Sequence, residues 1–182
     1  KMGKYKDGKP DEEISLETFT KHLEVAHLNL RHKAYVILLY WIGCRRSEPL
    51  TIVKKDVTEN NGSLFINIPA FKGGERAGPV EISLSRYGMD IVKDVWLKTW
   101  RGRKLFPFCD KTGYRKIKKM YPKKTPHWLR HNRLTKLRRK RDEGQITTDD
   151  IKSFTGIKTD STIEHYGMKT KKGIHKVSQV LD

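Results

Sequence analysis

The chain has 182 residues, 36% of them hydrophobic and 33% charged, which is enough for one domain with a real core or at most two small ones. Its 39 Lys and Arg against 21 Asp and Glu leave a net charge of +18, and that balance points to a polyanionic partner. The longest apolar run, residues 34–43, is too short to span a bilayer and no signal peptide is visible. With only two cysteines, Cys44 and Cys109, there is no disulfide framework, so an intracellular protein of the cytoplasm or nucleoid is expected.

Residues 1–13 are polar, carry Gly and Pro, and read as a linker or an arbitrary edge; the domain then covers 14–182, with a tail from about 170. Ser15 is placed to cap a helix whose apolar face is Leu16, Phe19, Leu23 and Ala26. A second helix over residues 32–42 is apolar almost all round, the mark of a central buried element, and Gly43 ends it. Ser47 starts a short helix with Pro49 in its first turn.

Residues 56–84 read as a small antiparallel meander. Asn61-Gly62 is a tight-turn signal between the first two strands, and a third strand covers residues 80–84. The loop before it places Lys72 beside Gly73 and Gly74, which allow a ligand backbone close approach. Met89, Val92, Val95 and Trp96 then form one helical stripe running to about Trp100, and a basic helix covers residues 114–120. Thr125-Pro126 opens a helix with His127, Arg130 and His131 in its first turns. Thr148 caps another helix that stops at Gly156, and a short helix carries Tyr166. The expected fold is α+β and mainly helical, with a three-stranded antiparallel sheet on one edge.

The charge is uneven: from Arg101 to Arg141 there are 17 basic residues and one acid, Asp110, as on a surface that tracks a phosphate backbone. A phosphodiester can be cut without metal if one group attacks while several cations hold the phosphate. Arg45, just past the buried helix, offers a planar fork to phosphate oxygens. His127 and Arg130 are three apart and share a helix face, at a helix start that favours an anion. Lys72 is the candidate proton donor, with Lys54 and Lys55 as weaker rivals. Tyr166 is the candidate attacker, provided that cations lower its phenol from the ordinary ~10.

Plainer alternatives exist for each residue. Either arginine can simply pair with an acid such as Glu48, Lys72 can be a solvated loop residue, and Tyr166 a packed ring. His127 and His131 have the spacing of a zinc helix, but Trp-Leu-Arg lies between them with no glutamate, and no metal is expected. No phosphate-binding G-x-x-x-x-G-K-[ST] loop occurs, so nucleotide hydrolysis has no support.

Over about residues 15–168 these stretches resemble the catalytic domain of the tyrosine recombinases, or phage-type integrases. Gly43-Cys44-Arg45-Arg46-Ser47-Glu48-Pro49-Leu50 is similar to the family's G-[LM]-R-x-S-E-L box, which makes Arg45, not Arg46, the catalytic arginine by resemblance. Lys72 looks like the family's hairpin lysine, and His127-Trp128-Leu129-Arg130-His131 matches H-x-L-R-H. Gly156 and Thr162 stand at the family's offsets from Tyr166. Ile157 departs: the family has His, or sometimes Trp, there, and Lys158 and His165 are the nearby substitutes. The divergence fits an archaeal or viral branch.

The resemblance implies a site-specific recombinase whose Tyr166 forms a 3′-phosphotyrosine with a double-stranded attachment site and frees a 5′-hydroxyl. It implies no metal, ATP or other cofactor, no membrane, and a tetramer on DNA in which the tail at residues 170–182 docks on a neighbour. It also implies an N-terminal DNA clamp, which is missing from this stretch. Two other functions compete: a type IB-like topoisomerase, and a non-catalytic basic module that only coats DNA. The departure at Ile157 also admits an inactive enzyme.

Overall fold

The structure, a computed structural model, describes residues 13–69 and 78–165. Helix α1, Leu16–Val25, starts where Ser15 Oγ accepts a hydrogen bond from the Thr18 amide at 3.0 Å. Phe19, Leu23 and Ala26 of the expected face are buried, but Leu16 is exposed: the apolar stripe outlasts the core at the helix N-terminus.

Helix α2, Leu30–Ile42, begins two residues earlier than the apolar run implies, because the Asn29 side chain accepts from the His32 amide at 3.0 Å and caps it. Residues 34–42 are all buried. At about 1.5–3 kcal/mol for each large apolar side chain withdrawn from water, this helix supplies much of the driving force for folding. It packs against α3 (Met89–Leu97), α4 (Asp110–Met120) and α5 (Pro126–Asp142), and so forms the axis of the domain.

Strands β1 (Val57–Asn60), β2 (Ser63–Ile66) and β3 (Val80–Ser83) form an antiparallel sheet in the order β1-β2-β3. Asn60 pairs with Ser63 across Asn61-Gly62, and both turn residues have positive φ, as a two-residue hairpin requires. Val57, Leu64, Ile66, Val80 and Ile82 turn one face to the core.

Several expected boundaries move. The short helix at Ser47 is a single 3₁₀ turn, Pro49–Thr51, because the Glu48 carboxylate bonds back to the Arg45 amide and closes a turn ahead of it. The α3 helix stops at Leu97 rather than Trp100. The α4 helix starts four residues before Tyr114, at Asp110. The cap of α6 (Thr148–Thr155) is Thr147, not Thr148, because a capping box needs its carboxylate three residues on. Asp150 meets that need: its amide donates to Thr147 Oγ1 at 3.1 Å and its Oδ2 accepts from the Thr147 amide at 2.7 Å. Helix α7 covers Asp160–His165.

The main core lies around α2, and a satellite cluster of Leu134, Leu137, Ile151, Ile157 and Ile163 joins α5, α6 and α7. Cys44 is buried, Cys109 is exposed, and neither is in a disulfide. Among the described residues no helix is long and apolar enough to cross a membrane.

Candidate active site

The site begins where α2 stops. Gly43 takes φ +67°, the left-handed conformation that lets the chain turn sharply after a buried helix. The turn is also crowded: a Cβ at Gly43 would lie 2.7 Å from Arg133 Cβ on α5. Glycine alone therefore lets α5 close on the end of α2.

That close approach brings the two arginine-bearing stretches together. Arg130 Nη1 on α5 donates to the Gly43 carbonyl at 2.8 Å, and Arg130 is only 2% exposed. Arg45 follows two residues later and keeps 32% side-chain exposure. Arg130 and Arg45 thus both lie at the C-terminal end of α2. His127 is half-buried in the first turn of α5, and His131, one turn on, has Nδ1 3.4 Å from Thr135 Oγ1.

Glu48 decides the pose of Arg45. Its carboxylate is fully buried and accepts from the Arg45 amide at 2.9 Å and from Arg45 Nη1 at 3.0 Å. The sequence set this ion pair against a phosphate role for Arg45. The geometry makes the two compatible, since a buried carboxylate fixes one edge of the guanidinium while part of the side chain stays accessible.

Arg46 looks elsewhere. Its Nη2 pairs with Asp110 Oδ2 at 2.7 Å, at the start of α4, and its guanidinium lies 5.4 Å above the Tyr114 ring. Its carbonyl accepts from Tyr35 Oη at 2.8 Å. Burial drives the Tyr35 phenol far above its ordinary range, so it remains a donor. No role for Arg46 is legible from its neighbours in the chain, although one signal was present: Asp110 is the single acid in the basic stretch from Arg101 to Arg141.

Most of that basic stretch lies at the surface as expected, but not all of it does. Arg130 is buried, and Arg133 packs its guanidinium between Trp41 at 5.9 Å and Phe154 at 5.8 Å, where burial lowers its pKa. Both serve the contact between α5 and its neighbours. A stripe one turn further along α5 holds the entering chain. Asn132 Oδ1 accepts from the Ile14 amide at 2.8 Å, Lys136 Nζ donates to the Ile14 carbonyl at 2.6 Å, and Arg139 Nη1 pairs with Glu13 Oε2 at 3.0 Å. Burial pulls the Lys136 amine below its usual range, partly offset by Glu13. Glu13, read as part of a linker, is therefore seated on the helix that carries Arg130.

At the far end, Gly156 caps α6 with φ +69° and Thr162 Oγ1 lies 2.7 Å from Thr159 Oγ1. Ile157 is buried in the satellite cluster, which explains an apolar residue there by packing. Lys72 and Tyr166 lie outside the described residues, as does the tail at 170–182.

No family model matches the chain, and no curated protein does. Solved structures do. The chain is similar to the XerH site-specific recombinase bound to palindromic difH substrate in a post-cleavage complex. The identity is 19%, over 95% of this chain and 54% of that one, with a TM-score of 0.67. It is similar to XerA recombinase at 21% identity, over 91% of this chain and 62% of that one, with a TM-score of 0.65. It also matches a lambda integrase tetramer bound to a Holliday junction at 14% identity, over 86% of this chain and 48% of that one, with a TM-score of 0.57. The chain thus spans about half the length of XerH and of lambda integrase. Its fold is that of the tyrosine recombinase catalytic domain, α+β and mainly helical with a small three-stranded antiparallel sheet.

Proposed function

We propose that the chain is the catalytic part of a tyrosine recombinase, cleaving and rejoining DNA strands at a specific site inside the cell. The observation that carries this reading is the Arg130–Gly43 hydrogen bond at 2.8 Å, which joins two arginine boxes far apart in sequence. The relatives of this fold support it, since their structures hold recombinases on DNA substrates, one of them a tetramer on a Holliday junction.

In this reading the Tyr166 oxygen attacks the scissile phosphorus and loses its proton to solvent. The phosphorus–O5′ bond breaks, and the leaving oxygen takes a proton from Lys72. Arg45, Arg130 and His127 hold the non-bridging oxygens as charge grows on them. The 3′-phosphotyrosine keeps the bond energy, so a 5′-hydroxyl from a partner strand reverses the step without metal, ATP or other cofactor. Four protomers on two DNA segments complete the exchange.

The test is a nicked suicide duplex carrying the attachment site. The expected result is a covalent protein–DNA adduct that survives denaturation, absent from Tyr166→Phe. An adduct formed by Tyr166→Phe removes Tyr166 as the attacker; tight duplex binding with no adduct at all favours the non-catalytic module.

A further inference from the structure

The turn after α3 carries a feature that the cleavage reading leaves unused. Trp100 is 82% exposed, and Leu97, one helical turn before it, is 54% exposed. A large ring so far out of the core has a cost in water that packing elsewhere in the molecule does not recover.

This turn is well braced. The Arg103 amide donates to the Trp100 carbonyl at 3.0 Å, and Gly102 takes φ +76° at the third position, where a side chain would be strained. Lys54 clamps it from below: its amide donates to the Arg103 carbonyl at 3.0 Å and its Nζ to the Leu97 carbonyl at 2.8 Å. Trp96 Nε1 returns a bond to the Lys54 carbonyl at 3.1 Å, and the Leu105 amide donates to the Ile52 carbonyl at 2.9 Å. The indole therefore stands on a rigid base, and little ordering entropy is lost when it binds something.

Most of the charge around it is positive, although Lys98 pairs with Asp94 at 2.8 Å. Lys98, Arg101, Arg103 and Lys104 are all exposed, and no acid occurs from residue 95 to residue 109. Size then separates the candidate occupants. A stable protein interface needs about 800 Å² from each partner, and one indole offers about 200 Å². A membrane-surface helix needs an outward apolar face, but Met89, Val92 and Val95 of α3 are buried. A single aromatic face among cations suits a ligand made of flat rings joined by phosphates.

We propose that Trp100 is a stacking platform for an unpaired nucleobase, with Arg101, Arg103 and Lys104 contacting the flanking phosphates. This binding site for single-stranded or unstacked nucleic acid shares no residue with the one around Arg45 and Arg130. It is a claim about binding alone, and holds whether or not the chain cuts DNA.

The experiment uses the full chain and an oligothymidylate of about 15 nucleotides, with a blunt duplex of similar length as the second probe. Affinities are read by fluorescence anisotropy at one fixed salt concentration. Trp100→Ala is expected to bind the single strand about tenfold more weakly, because a stacked base is lost, while duplex binding stays within about twofold. Trp100→Phe keeps a ring and should recover most of the loss. Arg103→Ala should lower the salt slope for the single strand by about one. An unchanged thermal midpoint in Trp100→Ala shows that the fold is intact. Equal losses on both probes, or no loss on either, overturn the proposal. So does loss of binding to phosphatidylserine vesicles with the oligothymidylate affinity intact.

Discussion

Arg130 on α5 donates a hydrogen bond to the carbonyl of Gly43 at the end of α2, 2.8 Å away and 87 residues earlier in the chain. The bond stitches the two arginine boxes together, and it exists because nothing larger than hydrogen stands on Gly43. Gly43→Ala should therefore lose stability twice, through a left-handed residue bearing a side chain and through a Cβ pressed against Arg133. A loss of about 2–4 kcal/mol is expected in urea unfolding, and cleavage should fall with it.

Arg130 itself should matter more to the reaction than to binding. Arg130→Lys keeps the charge but loses the planar fork. Adduct formation on the suicide duplex is expected to fall about 100-fold, while duplex affinity changes by less than about threefold. Equal falls in both measurements would make Arg130 a positioning contact for the backbone.

Glu48 is fully buried and grips Arg45 by its amide and its guanidinium. Glu48→Gln keeps the shape and removes the charge, leaving Arg45 with a weaker anchor. The expected cost is about 1–3 kcal/mol in thermal unfolding, together with slower cleavage at saturating DNA. Lost stability with an unchanged cleavage rate would assign Glu48 to the fold alone.

Tyr121 tests the alkaline side. Its hydroxyl is buried with no hydrogen-bond partner, and burial raises its phenol well above the unfolded value near ~10. Above that value the unfolded chain releases the proton and the folded chain keeps it, so stability is full below about pH 10 and falls as pH rises further. Tyr121→Phe should flatten that fall in a series of urea unfolding curves above about pH 10. At neutral pH it should cost little or even stabilise, because the unpaired hydroxyl is gone.

Ile157, which departs from the His or Trp that the family resemblance implies, packs with Leu134, Leu137, Ile151 and Ile163. Ile157→His buries a polar ring among aliphatic side chains, with an expected loss of about 1–3 kcal/mol by thermal unfolding. Adduct formation should not rise, because the ring would enter the satellite core. A faster reaction would show that this position faces the phosphate.

Much of the scaffold was legible before any coordinates, because each signal depended only on near neighbours. The unbroken apolar run of α2, the Asn61-Gly62 turn and Pro126 at the head of α5 each act within a few residues. Where the reading slipped, two local signals competed. Thr147 and Thr148 are both good caps, and only the carboxylate three residues on, Asp150, separates them. Leu16 fits the helical stripe of α1, yet periodicity does not say how far the core extends.

The amino-acid order by itself determined which residues are chemically capable: two boxed arginines, a histidine, and a cationic surplus suited to phosphate. Only the tertiary structure decided which of those cations enter the interior and what aims them. Arg130 reaches Gly43, Arg46 turns to Asp110, Arg133 lies between Trp41 and Phe154, and Asn132 holds Ile14 across 118 residues. The reason is physical. A guanidinium's partner is set by the elements packed around it, and packing joins positions whose separation along the chain carries no record of their contact.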